Sequence, residues 1–164
     1  MPTEPSLLVI ALINTLSWPV IQLGLAWIFT RMPDHWFACK QMPRPCPCEV
    51  RFLDRVLCVK KWKDRLPDAA TWFAGGFAKA KLTGNDPEYL RRFIRETRRG
   101  ELCHWCAMAC VFLFLPWNPW WADLVMWTYA IAANLPCILV QRHNRARLSK
   151  LLARCEAKAW ISKK

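Results

Sequence analysis

Glu101 and His104 are the two residues of this chain whose types and spacing could do chemistry together. Three positions apart on a helix, their side chains are neighbours. A carboxylate beside an imidazole orients the ring and raises its basicity, which is what a general base requires. His104 also opens an uncharged apolar run, where partial burial amplifies such effects. The plain structural alternative is that Glu101 pairs with Arg98 and that His104 is an interfacial hydrogen-bonding residue.

The polar residues around them fall into three clusters: Arg31, Asp34 and His35; Glu96, Arg98, Arg99, Glu101 and His104; Gln141, Arg142, Asn144, Arg145 and Arg147. Each sits at one end of an apolar segment, so the topology predicts a common depth. Arg142, Arg145 and Arg147 suit bidentate binding of a phosphate or carboxylate, and equally suit lipid contact beside a span. Asn134 and Gln141 share a helix face, and Pro136 frees a carbonyl nearby. Such a pair marks either a substrate groove or helix-packing glue. Cys103, Cys106 and Cys110 also share a face, where small buried cysteines are the commoner reason and redox or metal chemistry the rarer one. Cys46-Pro-Cys48 is an equally weak pattern. No HExxH, Walker loop, GxSxG or His-x4-Asp pattern occurs.

The elements that must position these residues are read from charge. All 24 Lys and Arg lie in two blocks, residues 31–101 and 141–164. Segments 1–30, 31–101, 102–140 and 141–164 carry −1, +7, −1 and +7. A hydrophobic content of 54% with eleven Trp completes the picture of apolar and basic matter kept apart. Residues 6–29 carry no charge and 120–140 only Asp123, so each is long enough to cross roughly 30 Å of hydrocarbon. Residues 102–115 are shorter, and read as a re-entrant helix or the apolar half of a longer one. No Lys or Arg precedes the first run and Glu4 is acidic, which favours a span over a signal peptide. The positive-inside rule sets the N-terminus outside and both basic blocks in the cytoplasm. Reduced thiols are expected there. Anionic lipid accounts for the basic charge better than nucleic acid does.

Along the chain, Trp18-Pro19 should kink the first span. Asn14 and Gln22 share a face within it. Residues 41–48 hold three prolines and read as a loop. Residues 49–65 mix apolar and basic positions as an amphipathic helix in the headgroup plane, ended by Leu66-Pro67-Asp68; Gly75-Gly76 is a turn. Asp86-Pro87-Glu88 is a helix start, and one helix should run from there into the membrane. Pro116 and Pro119 mark a tight hairpin flanked by interfacial Trp. The fold class is therefore an all-α integral membrane protein. Its single domain, 1–164, has about three apolar helices, a first span plus a helical hairpin, with a cytoplasmic amphipathic helix and a basic tail at 141–164.

Four stretches carry a family resemblance: residues 30–34 (TRMPD), 60–68 (KKWKDRLPD), 96–105 (ETRRGELCHW) and 133–148 (ANLPCILVQRHNRARL). From about Gln22 to Leu152 the chain resembles the glycosyl-4,4'-diaponeurosporenoate acyltransferases, small bacterial membrane enzymes that acylate the sugar of a carotenoid glycoside. It departs from the family pattern at His143, where an aromatic such as Tyr is expected, and at Ala69, where Gly is expected. The resemblance implies acyl transfer at the bacterial inner membrane, with acyl-CoA or acyl carrier protein as co-substrate and no resident cofactor or metal. With that activity, His104 takes the proton of the acceptor hydroxyl and Glu101 or Glu96 orients it. Arg98, Arg142 and Arg145 hold donor phosphates. Asn134, Gln141, Asn144, Arg31 and Asp34 complete the substrate site, and the helix carrying Trp62 gates it. Membrane lipids, a lipid-soluble glycosylated acceptor and the acyl donor are the expected partners, and a homodimer fits three thin spans. The rival classes are another interfacial lipid-modifying enzyme, such as a methyltransferase, and a non-catalytic scaffold.

Overall fold

The computed structural model describes residues 6–38, 46–66 and 86–161; Pro67, Asp68, Ala69 and the Gly75-Gly76 turn lie outside them. Helices account for all the regular structure among the described residues, and two of them are long and apolar enough to cross a bilayer.

Helix α1, Leu7–Arg31, begins at Ser6, whose side chain accepts from Val9 N. Its buried residues are Ile10, Asn14 and Trp18, a stripe at four-residue spacing. The rest is exposed apolar surface: Leu7, Leu8, Leu16 and Val20 are each about two-thirds exposed. A helix apolar on every side, with one narrow packed stripe, is built for a non-aqueous surround. Pro19 lies within it without ending it.

Helix α4, Pro87–Ala109, starts as its sequence predicts. Asp86 accepts from Tyr89 N at 2.8 Å, and Pro87 stands where no intrahelical N–H is needed. The chain tightens to a 3-10 turn at Cys110–Phe114, reverses, and returns as α5, Trp120–Ile161. At 42 residues α5 spans about 63 Å. It runs through Val140 into the basic tail without a break.

Helices α4 and α5 form an antiparallel hairpin with an apolar cluster at each end. Next to the turn, Val111 and Phe114 meet Met126 and Ala130, with Trp18 of α1 packed in. At the far end, Leu90, Phe93 and Ile94 meet Leu148 and Leu152. Trp18 also stacks edge-on to Tyr129 at 5.3 Å between centroids. Asn14 donates to Asn118 Oδ1 at 3.0 Å and accepts from Trp117 Nε1 at 3.1 Å, so this amide fastens α1 to the turn.

The cytoplasm-predicted segment departs from expectation. Residues 49–65 form several short pieces in place of one amphipathic helix: α2 (Pro47–Arg51), a π turn (Phe52–Val56), α3 (Val59–Trp62) and a 3-10 turn (Lys63–Arg65). The break falls at Cys58, which takes a left-handed conformation with φ 47°. Trp62 Nε1 donates to the Leu57 carbonyl at 2.9 Å, satisfying an acceptor that the break releases. Of the loop expected over 41–48, residues 41–45 lie outside the described residues, and Pro47 and Cys48 belong to α2, since Pro is tolerated in a first helical turn. Cys46 and Cys48 are disulfide-linked, against the expected thiols: the turn sets their Cα atoms 5.3 Å apart, within disulfide reach. The six other described cysteines form no disulfide among the described residues.

Replacing Asn14 with Ala should cost about 1 kcal/mol, since it strips partners from both Asn118 and Trp117. Denaturant titration in detergent, with Trp117 fluorescence as the reporter, would check it.

Candidate active site

Between the two apolar clusters the hairpin buries a belt of polar side chains: Glu96, Thr97, Arg99, Glu101, Asn134 and His143. A polar group removed from water needs a partner, and the partners here come from across the hairpin and from the end of α1.

Glu101 is held by α5. Its Oε1 accepts from Arg142 Nε at 2.7 Å, and its Oε2 lies 2.5 Å from Arg145 Nη1. Burial pushes the Glu101 carboxyl up, but the Arg142 hydrogen bond and the charges of the Arg142 and Arg145 guanidiniums outweigh it and hold the group below the usual carboxylate range. Arg142 also lies 3.7 Å from Glu49 of α2. The sequence-based pairing of Glu101 with His104 is therefore replaced by a two-arginine clamp. Equally, Arg142 and Arg145 have an acid of their own already, where the sequence reading reserved them for donor phosphates.

A second knot ties α1 to α4. Arg99, only 7% exposed, donates to Glu96 Oε1 at 2.7 Å, to Asp34 Oδ1 at 2.5 Å and to the Met32 carbonyl at 3.1 Å. Its guanidinium also lies over the Phe37 ring at 4.8 Å. The Arg99 hydrogen bond holds the Asp34 carboxyl below its ordinary value. Arg99 joins two of the predicted clusters, yet sequence reasoning left it out of the site. The available signal was Glu96 three residues before it, a helical ion-pair spacing. Arg31 turns elsewhere, its guanidinium 4.0 Å from the Trp27 ring.

His104 meets α5 directly. Its Nδ1 lies 3.0 Å from Asn134 Oδ1, while Asn134 Nδ2 donates to the Ala130 carbonyl at 2.9 Å. Asn134 is 1% exposed. Because its amide nitrogen is committed to a carbonyl, its oxygen must face the ring. An acceptor at Nδ1 selects the Nδ1–H tautomer and makes Nε2 the basic nitrogen. So a helix-buried amide does the orienting assigned to a carboxylate on sequence grounds.

The remaining predicted residues are dispersed around this belt. Gln141 Oε1 is buried without a hydrogen-bond partner among the described residues. Arg98 and Asn144 are half-buried, and Arg98 has no carboxylate partner among the described residues. Trp62 Nε1 is committed to the Leu57 carbonyl. Among the described residues no cluster of His, Cys, Asp or Glu could hold a metal ion.

Fold and belt define a small all-helical protein whose buried titratable groups gather where an apolar hairpin meets its basic extensions. The chain belongs to the glycosyl-4,4'-diaponeurosporenoate acyltransferase family, whose pattern matches residues 33–154. It is 30% identical over 155 residues to proteins of that name from Staphylococcus aureus strains USA300 and Newman, covering 93% of this chain and 93% of each relative. The protein of that name from strain MRSA252 is 30% identical over 141 residues, covering 84% of this chain and 85% of the relative. No solved structure matches. Membership makes the chain an enzyme of the acyltransferase class.

Two outcomes follow from the ion pairs. Arg99→Leu leaves Glu96 buried and uncompensated, so it should destabilise the protein by about 3–5 kcal/mol, more than Arg31→Leu, as thermal unfolding in detergent would show. Glu101 and Asp34 have folded values below their unfolded ones. Their stabilisation is thus complete above the ordinary carboxylate range, near about pH 4, and is lost as pH falls through the lower folded values. Unfolding midpoints from pH 7 to pH 3 should fall less steeply for Glu101→Gln than for the parent, from a lower starting point.

Proposed function

We propose that this protein moves a fatty acyl group from an acyl thioester to a sugar hydroxyl of a glycosylated carotenoid or similar glycolipid, at the cytoplasmic face of the membrane. The observation that carries the mechanism is the Asn134–His104 hydrogen bond, which leaves Nε2 as the ring's basic nitrogen. His104 Nε2 accepts the acceptor hydroxyl proton as the oxygen attacks the thioester carbonyl. The carbon–sulfur bond then breaks, and the departing thiolate takes the proton back from the imidazolium. Asn134 holds the ring in its tautomer, and the Glu101 clamp fixes the spacing of α4 and α5 around it.

Two features support the membrane setting. Helices α1 and α5 are of membrane-crossing length, and their apolar windows are mostly unburied within the protein. An apolar groove of about 410 Å³, lined by Leu16, Val20, Ile21, Leu113 and Phe114, runs between α1 and the hairpin, a fitting bed for a lipid chain. Arg98, half-buried and with no carboxylate partner among the described residues, suits a donor phosphate. The acceptor follows from the name the relatives carry.

The test is a purified assay with acyl-CoA and a glycosylated carotenoid, read by mass spectrometry for a product heavier by one acyl group. His104→Ala should lower turnover by at least about 10²-fold, the usual worth of a general base, and Asn134→Leu by a smaller factor with KM little changed. Near-normal turnover of His104→Ala would remove the base from the mechanism.

A further inference from the structure

A second cavity, about 260 Å³, lies between residues 50–60 and the basic half of α5, on a different face from the Glu101 clamp. Its walls include Lys60, Arg147, Lys150, His143, Asp54 and Leu53. On α5, His143, Arg147 and Lys150 fall at i, i+4 and i+7 and so share one face. The balance of charge is uneven: three cations face one carboxylate. That carboxylate is already engaged, since Asp54 Oδ1 lies 2.9 Å from His143 Nε2. Lys60, Arg147 and Lys150 have no ion-pair partner among the described residues, whose other nearby acids serve elsewhere: Glu49 and Glu101 at Arg142, Glu156 at Arg91. His143 is 8% exposed, and its buried Nδ1 has no hydrogen-bond partner among the described residues.

We propose that this cavity is a phosphate-binding subsite, formed by Lys60, Arg147 and Lys150 with His143 as its wall. A phosphate monoester carries about −1.5 to −2 charge at pH 7, which matches three cations less one carboxylate, whereas one carboxylate ligand would leave charge unbalanced. Guanidinium and ammonium donors are the groups that take phosphate oxygens. A concave wall of net positive charge also concentrates anions from solution. Resting on the acyl-transfer reading above, the ligand is the phosphate of a thioester donor. Asn134 and Arg147 are thirteen residues apart on one helix, about 20 Å, so phosphates here and a thioester at His104 require a long extended arm between them. The other source of the same chemistry is a phospholipid headgroup.

The experiment measures binding without turnover. The full chain in phosphatidylcholine nanodiscs is titrated with coenzyme A, read by tryptophan fluorescence, and its thermal midpoint is compared with that in phosphatidylglycerol nanodiscs. The triple variant Lys60→Gln, Arg147→Gln, Lys150→Gln should bind coenzyme A at least about tenfold more weakly, and the charge-keeping variant Lys60→Arg, Arg147→Lys, Lys150→Arg should restore it. All three positions are exposed, so folding is unaffected by the change. Unchanged coenzyme A binding with loss of the phosphatidylglycerol response would support the subsite and assign it to lipid. Equal coenzyme A binding and equal lipid response in parent and neutral variant would overturn it. Intact coenzyme A binding with no acyl transfer by the parent would instead defeat the acyl-transfer reading and leave the subsite standing.

Discussion

A buried carboxylate must be answered by positive charge, and the Glu101 clamp is where this hairpin answers it. Arg142 and Arg145 stand one turn apart on α5 and reach the same acid from both sides. Sliding α5 by a turn would strand Glu101 and pull Asn134 from His104. The apolar clusters at the two ends would tolerate a range of offsets, because hydrophobic contact is not directional. The ionic layer is what fixes the register. Arg99 then fixes the third element, since it reaches the last turn beyond α1 while paired within its own helix.

The hairpin was legible in sequence because its signals are local. Asp86-Pro87 caps a helix wherever it lies, and the Pro116–Pro119 turn between uncharged runs can only reverse the chain. The segregation of Lys and Arg gave the long helices for the same reason. What local pattern could not supply was partner choice. Glu101 has cations at Arg98, Arg142 and Arg145 to choose from, and spacing favours the one on its own helix; only the packing of α5 reveals the pair across the hairpin. His104 likewise has Glu101 three residues away, yet takes an amide thirty residues on. The amphipathic reading of residues 49–65 failed at Cys58, because a left-handed residue leaves no compositional mark unless it is Gly or Asn.

The belt also separates tasks that the sequence had merged into one arginine cluster. Arg142 and Arg145 are structural, Arg98 is open, and Arg147 with Lys150 faces a different cavity. Adjacent residues on α5 therefore serve different faces, as a helix of 3.6 residues per turn requires. His143 belongs to this division: buried with the belt, it pairs outward with Asp54 and fastens residues 52–56 to α5.

The unequal legs of the hairpin bear on the lipid around them. Between Glu101 and the turn, α4 and its 3-10 extension offer thirteen uncharged residues, about 20 Å when helical and short of roughly 30 Å of hydrocarbon. Its neighbour α5 has the full length, so the mismatch is one-sided. A bilayer meets such a leg by thinning beside it and drawing headgroups inward. His104 stands at the polar end of that short leg. On the proposed reading, such dimpling would lower the acceptor's sugar toward the imidazole while its apolar tail stays in the hydrocarbon, and the shortness of one helix would then act as an elastic means of presenting an amphiphile.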